Sequence, residues 1–238
     1  MISSSFQIIV QNLSQAAQYF YVFQKKATFE PSAGTIYCSS LGCQNVGNYS
    51  NSGAQIVFGL DTQIYAGAIS TAAPPPPSLP TASASSGTSR LLVSNATTKQ
   101  AISVTTGAGS NPPTNFTELT LSPLGLSAPT YQSGISVGAF AINVPPYTPT
   151  PLPTLFCGVA AVNTNQAVIL SSFVAPVPNA TMNCSPEQVF FVKAGYQPVG
   201  NLLTYDESNS ARCDFTTGFV TIIATYNSNG TFSTTGGA

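Results

Sequence analysis

Apolar residues recur at every second position through most of the chain. Phe6, Ile8 and Val10 share one face of an extended segment, with Gln7, Ile9 and Gln11 on the other. Tyr19, Tyr21 and Phe23 alternate with Phe20, Val22 and Gln24, a strand apolar on both faces and therefore expected in the middle of a sheet. The intervening Asn12-Leu-Ser-Gln-Ala-Ala is turn-like, which predicts that these two strands pair antiparallel. The same pattern predicts strands over Ala54–Phe58, Gln63–Ile69, Arg90–Ser94, Ala101–Thr105, Phe116–Leu121, Ser136–Val144, Phe156–Val162, Ala167–Val174, Gln188–Val192 and Gly218–Tyr226. Asn163-Thr-Asn-Gln reads as a hairpin turn and Asn227-Ser-Asn-Gly closes the last strand. The tail Thr231–Ala238 is expected to fray in an isolated molecule and to be ordered by packing.

No 12-residue window carries a helical stripe, and β-branched and aromatic residues recur where helix formers are scarce. About a dozen short strands between Gly, Pro and Asn turns predict an all-β fold, an antiparallel β-sandwich of jelly-roll type. Residues 1–238 are expected to form a single sandwich domain, with residues 71–90 as a Pro/Ser/Ala-rich loop or, alternatively, a boundary between two β subdomains. The stretch Ala72-Ala-Pro-Pro-Pro-Pro-Ser-Leu-Pro cannot be a ladder strand, because proline lacks the donor. About 70 residues before it make a small core, which favours the loop. A second proline cluster, Pro145 to Pro153, reads as a loop or edge crossing. Its PxxP spacing has no flanking basic residue to orient a partner domain.

Charge changes the picture most. Only 13 of 238 residues are Asp, Glu, Lys or Arg, about 5 %, and the net charge is −1. An ordinary soluble domain carries roughly a quarter charged residues. Nucleic acid and anionic membrane surfaces are therefore not expected as partners. No stretch approaches 18 apolar residues, so membrane insertion is not expected either. The surface must be wetted by Ser, Thr, Asn and Gln, and such surface sheds water more cheaply than ions do. Other copies of the chain, or neutral glycans, are the expected partners. The segment Phe6–Gln11 has no charged gatekeeper, so Phe6, Ile8 and Val10 are expected on an assembly edge.

The opening residues Met1-Ile-Ser-Ser-Ser carry no basic start, apolar run or cleavage site. A cytoplasmic location is expected, with an extracellular or cell-surface location if Met1 is not the native start. The cysteines Cys38, Cys43, Cys157, Cys184 and Cys213 form no CxxC pair, and zinc spacings are absent. Buried thiols are expected in a reducing compartment; in an oxidising one Cys38 could bridge Cys43, and two of the remaining three could bridge as well. Sequons stand at Asn12, Asn48, Asn95, Asn115, Asn179, Asn183 and Asn229, and matter only for an exported chain.

The chain has no histidine, which removes imidazole-based nucleophilic mechanisms, imidazole metal sites and the usual general base. Of seven carboxylates, only Asp206, Glu207 and Asp214 cluster locally, around Arg212. They read as an exposed acidic turn rather than a calcium loop or acid/base pair, since neither EF-hand spacing nor a glycosidase motif is present. No Walker loop or GxGxxG occurs. No cofactor, metal or catalytic residue is assigned and no enzymatic activity is expected. Sugar platforms usually favour tryptophan, which is absent; Tyr37, Tyr49, Tyr65, Tyr131 and Tyr147 are the available substitutes, each expected first as a sheet or rim residue.

The segments Phe6-Gln-Ile-Ile-Val-Gln-Asn-Leu-Ser and Gln18-Tyr-Phe-Tyr-Val-Phe-Gln resemble the start of small β-rich proteins of fungi and some bacteria, the bacterial ones similar to the rhizosphere-expressed RhiA type. Ser122-Pro-Leu-Gly-Leu-Ser, Gly138-Ala-Phe and Cys213-Asp-Phe-Thr-Thr-Gly look like fungal members. The resemblance implies no reaction, cofactor or site residues. The expected function is a non-enzymatic, self-associating structural protein (a filament, coat or inclusion component), the alternative a lectin-like module binding sugars on sandwich loops.

Overall fold

The computed structural model describes residues 5–31, 34–71, 94–107, 113–149, 155–162 and 167–237. The proline-rich segment from Ala72 to Ser89, most of the strand expected over Arg90–Ser94, the turn at Asn163–Gln166 and the end of the second proline cluster lie outside them. In chain order the elements are β1 (Ser5–Asn12), β2 (Gln18–Gln24), β3 (Thr28–Glu30), β4 (Tyr37–Cys38), β5 (Gly42–Val46), the one-turn helix α1 (Tyr49–Ser52), β6 (Gln55–Asp61), β7 (Tyr65–Thr71) and β8 (Ser94–Ala101). There follow β9 (Phe116–Leu121), β10 (Leu124–Leu126), β11 (Phe140–Val144), β12 (Leu155–Val162), β13 (Val168–Val174), β14 (Ala180–Ser185), β15 (Val189–Ala194), β16 (Ala211–Asp214), β17 (Thr221–Tyr226) and β18 (Phe232–Gly237).

These strands form four sheets. The first has the order β18-β17-β1-β6 and the second β16-β15-β2-β5; the third is β10-β9-β11-β14-β3 and the fourth β4-β13-β12-β7-β8. The first and second enclose one core, where Ile8, Val10, Phe58 and Ile222 meet Phe20, Val22, Phe190 and Val192. The third and fourth enclose another, where Phe140, Ile142 and Met182 meet Ala66, Ala68, Cys157 and Val159. The all-β sandwich expected from the alternation is therefore present as two sandwich cores. Most pairings are antiparallel, but β1 runs parallel to β17 and β11 parallel to β9.

The chain moves between the two cores repeatedly. β2 of the second sheet leads to β3 of the third, β4 of the fourth to β5 of the second, and β6 of the first to β7 of the fourth. Ala161 of β12 and Ile169 of β13 reach from the fourth sheet into the first core. Leu202 packs with Phe156 and Phe173 on the outer side of the fourth sheet, while the next residue, Leu203, packs with Phe23 and Phe191 on the outer side of the second. Residues 72–93 join β7 to β8, which pair with each other, so both ends of that segment lie in one sheet.

β1 and β2 do not pair with each other. Their inward side chains face across the first core, so residues 13–17 cross from one sheet to the other instead of turning a hairpin. The crossing is fixed by polar side chains. Asn12 Nδ2 donates to the carbonyls of Ala16 (2.9 Å) and Val46 (3.1 Å), and its Oδ1 accepts from the Ser14 amide (2.9 Å) and hydroxyl (2.6 Å). Asn48 Nδ2 donates to the Ser14 carbonyl at 2.8 Å. β2 is interior to its sheet and buried on both faces, as its pattern predicts.

Other expectations shift. Residues 101–105 were expected as a strand, yet beyond the end of β8 they bond to loops: Ser103 N–H to the Thr114 carbonyl and Thr105 N–H to that of Ala139. The tail is not frayed. The Asn227–Gly230 turn folds β18 back onto β17, with Asn227 N–H on the Thr231 carbonyl at 2.8 Å, so intramolecular pairing orders it.

Candidate assembly surface

The residues expected on an assembly edge are not on one. β1 is paired on both sides, by β17 and β6, and Ile8 and Val10 are wholly buried between the first two sheets. Phe6 stacks on Phe215 with ring centroids 4.3 Å apart. These side chains are the inward half of an alternating strand, where apolarity serves the core. Among the described residues the edges of the first sheet are β18 and β6, each paired on one side only.

The outward half of that sheet is different in kind. Register aligns Ile9 with Val57 on β6 and Ile223 on β17, and Ile223 with Thr235 on β18. Neighbouring rows are Gln11, Gln55, Thr225 and Ser233 on one side, and Gln7, Gly59 and Thr221 on the other. The face is thus a β-branched stripe between ribbons of amides and hydroxyls, with Val57 44 % exposed and Gln7, Gln55, Ser233 and Thr235 exposed beside it. On the second, third and fourth sheets, apolar clusters occupy the face turned away from the main core. Among the described residues no such cluster covers this face of the first sheet.

Charge is distributed accordingly. Eight of the 13 charged residues lie on or beside the second sheet: Lys25, Lys26, Glu187, Lys193, Asp206, Glu207, Arg212 and Asp214. The four strands of the first sheet contain one, Asp61, at the very end of β6. Its carboxylate is occupied by the Tyr65 hydroxyl at 2.8 Å and the Gln63 amide at 3.0 Å.

The acidic cluster is dispersed into separate pairs. Asp206 accepts from Lys193 Nζ at 2.6 Å and from the Ser208 hydroxyl, which hold it well below the usual carboxylate range. Asp214 accepts from the Thr216 hydroxyl and pairs with Arg212 at 2.7 Å; these contacts lower it too. Glu207 accepts from the Tyr205 hydroxyl, and Lys25 pairs with Glu187 at 2.7 Å. Asp206 and Asp214, held ionised in this way, are poor proton donors. Among the described residues no group of three or more His, Cys, Asp or Glu is placed to hold a metal ion.

All five cysteines are free thiols, four buried and Cys43 half-buried. Burial pushes Cys38 and Cys213 up to about 12 and Cys184 well above the ordinary thiol value, so the thiolate needed for nucleophilic attack is scarce at neutral pH. Of the tyrosines, Tyr37 stacks on Phe173, Tyr65 carries Lys99 over its ring at 4.6 Å and Tyr147 donates to the Pro176 carbonyl. Tyr49 is half-buried in α1, and Tyr131 is 54 % exposed. Two sequons are structural: Asn12 and Asn115 are buried, the latter bonded to Thr105 and Gln132. Among the described residues no helix is long and apolar enough to cross a membrane.

The edge strand β18 is faintly legible in the sequence. A turn Asn227-Ser-Asn-Gly followed by Thr-Phe-Ser-Thr-Thr is a hairpin signal, hidden by the small, polar residues of the returning strand. Comparison with protein-family models, with curated proteins and with solved structures finds no match.

Proposed function

We propose that this chain is a self-associating structural protein whose copies meet through the first sheet. β18 of one copy would lie beside β6 of the next, continuing the sheet and extending the stripe of Ile9, Val57, Ile223 and Thr235 across the join. The observation that supports this reading most is an uncharged outer face that, among the described residues, is uncovered and flanked by two strands paired on one side only. An edge strand presents unpaired backbone donors and acceptors, and natural monomers usually guard such edges with Lys, Pro or bulges. β18, Phe-Ser-Thr-Thr-Gly-Gly, contains neither Lys nor Pro. Amides and hydroxyls on the face lose little on desolvation, because their hydrogen bonds re-form across the contact. β18 and β6 are different surfaces, so the contact is heterologous, and repetition gives an open filament unless rotation closes a ring.

The test places charge on the stripe. Val57→Lys with Thr235→Lys changes two exposed positions, one on each edge strand. Light scattering and electron microscopy should show assemblies for the unsubstituted chain and separate particles for the variant. Val137→Lys, at a position 72 % exposed outside the first sheet, should assemble as before. An unsubstituted chain that stays monomeric at high concentration, or a doubly charged variant that still assembles, would overturn the proposal.

A further inference from the structure

We propose that Phe219 of one copy of the chain enters the cleft between β5 and β6 of the next, a knob and a hole on opposite edges of the first core. The contact rests on the sheet-to-sheet join proposed above and adds to it the side chain that sets its register.

The hole is a seam between the first two sheets. β6 ends the first sheet and β5 the second, and the two approach each other along one side of the core. Between them lies a cleft of about 150 Å³, walled by Val22, Leu41, Gly42, Phe58, Leu60 and Val199. Val22, Leu41, Phe58 and Leu60 are core side chains, so the floor is apolar, and no charged side chain lines the cleft. A charged occupant would shed its hydration there with nothing to replace it. A dry cavity of similar volume in another protein admits benzene, so a phenyl ring is of a size to fit.

The knob lies on the opposite edge, where β18 ends the first sheet and approaches β16, the last strand of the second. Phe219, just before β17, is 41 % exposed. Its ring takes the place of a side chain on Gly236, where a Cβ would stand 2.6 Å from it. Gly236 pairs with Ile222, whose side chain belongs to the first core, so the ring sits on the inner side of β18. A glycine within a strand often marks such a close approach.

Register puts knob and hole at one height. Gly236 pairs with Ile222, Ile222 with Ile8 and Ile8 with Phe58, a single row that runs from Phe219 at one end to the cleft at the other. β17 runs parallel to β1, while β18 and β6 run antiparallel to them, so β18 and β6 point the same way. A neighbour displaced along the row, with no slip along the strands, sets its β18 parallel to β6 and its Gly236 beside Phe58. Its Phe219 ring then stands in the seam, about one strand spacing of 4.8 Å from Phe58. An apolar group that fits a pocket elsewhere on the same molecule makes a heterologous contact, which propagates from copy to copy.

The experiment follows assembly of full-length variants by sedimentation and light scattering over a concentration series, with melting curves to confirm folding. Phe219→Ala should raise the concentration needed for assembly about twenty- to thirtyfold, the equivalent of withdrawing roughly 80 Å² of ring from the contact. Phe219→Leu should fall between alanine and the parent. Val199→Phe, at a half-buried position in the cleft wall, should fill the hole and weaken assembly as alanine does at the knob. Mixed in equal amounts at a concentration where neither assembles alone, Phe219→Ala and Val199→Phe should form a 1:1 dimer and stop there. One copy brings the knob and the other the open hole, and the two outer edges lack a partner. A mixture that stays monomeric or grows into filaments overturns the proposal. So does Phe219→Ala assembling like the parent while Val57→Lys with Thr235→Lys disperses the chain, an outcome that leaves the sheet-to-sheet join standing. A parent chain that stays monomeric overturns both. Should Val199→Phe fail to fold, the alanine and leucine variants at Phe219 decide without it.

Discussion

Replacing Asn12 by alanine tests how the crossing between the first two sheets is held. Asn12 is wholly buried and makes four hydrogen bonds through one amide group. The bond to Val46 spans 34 residues, tying the end of β1 to β5 in the facing sheet. In the variant the Ala16 carbonyl keeps the Ser14 hydroxyl at 3.0 Å, and that hydroxyl also reaches water. The Val46 bond and the Ser14 amide bond are lost outright, at about 1 kcal/mol each, and a buried group left unpaired adds about 1 more. The expected loss is therefore about 2–4 kcal/mol, measured as a fall in ΔG of unfolding by urea titration. Asn12→Asp should be worse, because a carboxylate would face the Ala16 and Val46 carbonyls with no proton to share. A loss below about 1 kcal/mol for alanine, or aspartate tolerated as well as asparagine, would refute the clamp.

Two further outcomes follow from the same geometry. Asp214 is held low by Thr216 and Arg212, so it stabilises the fold above the ordinary carboxylate value of about 3.9 and loses that contribution as pH falls through its own lower value. Urea midpoints should be flat from pH 7 to about 5 and drop below about 4, and Asp214→Asn should flatten part of that drop; an unchanged acid limb would count against the pairing. Gly158 of β12 lies against β13 so closely that a Cβ would stand 2.4 Å from the Ser172 carbonyl oxygen and 2.8 Å from the Phe173 Cα. Both are backbone atoms, so Gly158→Ala should open the ladder and cost several kcal/mol or prevent folding, and a variant melting within a few degrees of the parent would exclude such contact.

The sequence announced those strands whose inward residues are large. β1, β2, β9, β12, β13 and β17 are visible as alternating or continuous apolar runs, and their interiors are the two cores. The missed strands are short or rich in small and polar residues: β3, β4, β10 and β16 span two to four residues, and β5 (Gly-Cys-Gln-Asn-Val), β8 (Ser-Asn-Ala-Thr-Thr-Lys-Gln-Ala), β14 (Ala-Thr-Met-Asn-Cys-Ser) and β18 (Phe-Ser-Thr-Thr-Gly-Gly) carry few large apolar side chains. Their backbone pairing is decided by neighbours far away in the chain rather than by their own side chains. The same limit explains the misplaced edge. Alternation assigns Ile8 and Val10 to a buried face, but which strands flank β1 depends on β6 and on β17, over 200 residues distant. The outward stripe required that register before Ile9, Val57, Ile223 and Thr235 could be seen as one row.

The parallel pairing of β1 with β17 also dictates an order of events during synthesis. β1 receives one of its two partners, β17, only after over 200 further residues have emerged, and β17 receives β18 later still. Until then the aromatic β2 lacks much of the layer that will cover its inner face, a window in which nascent chains depend on chaperones or find one another prematurely.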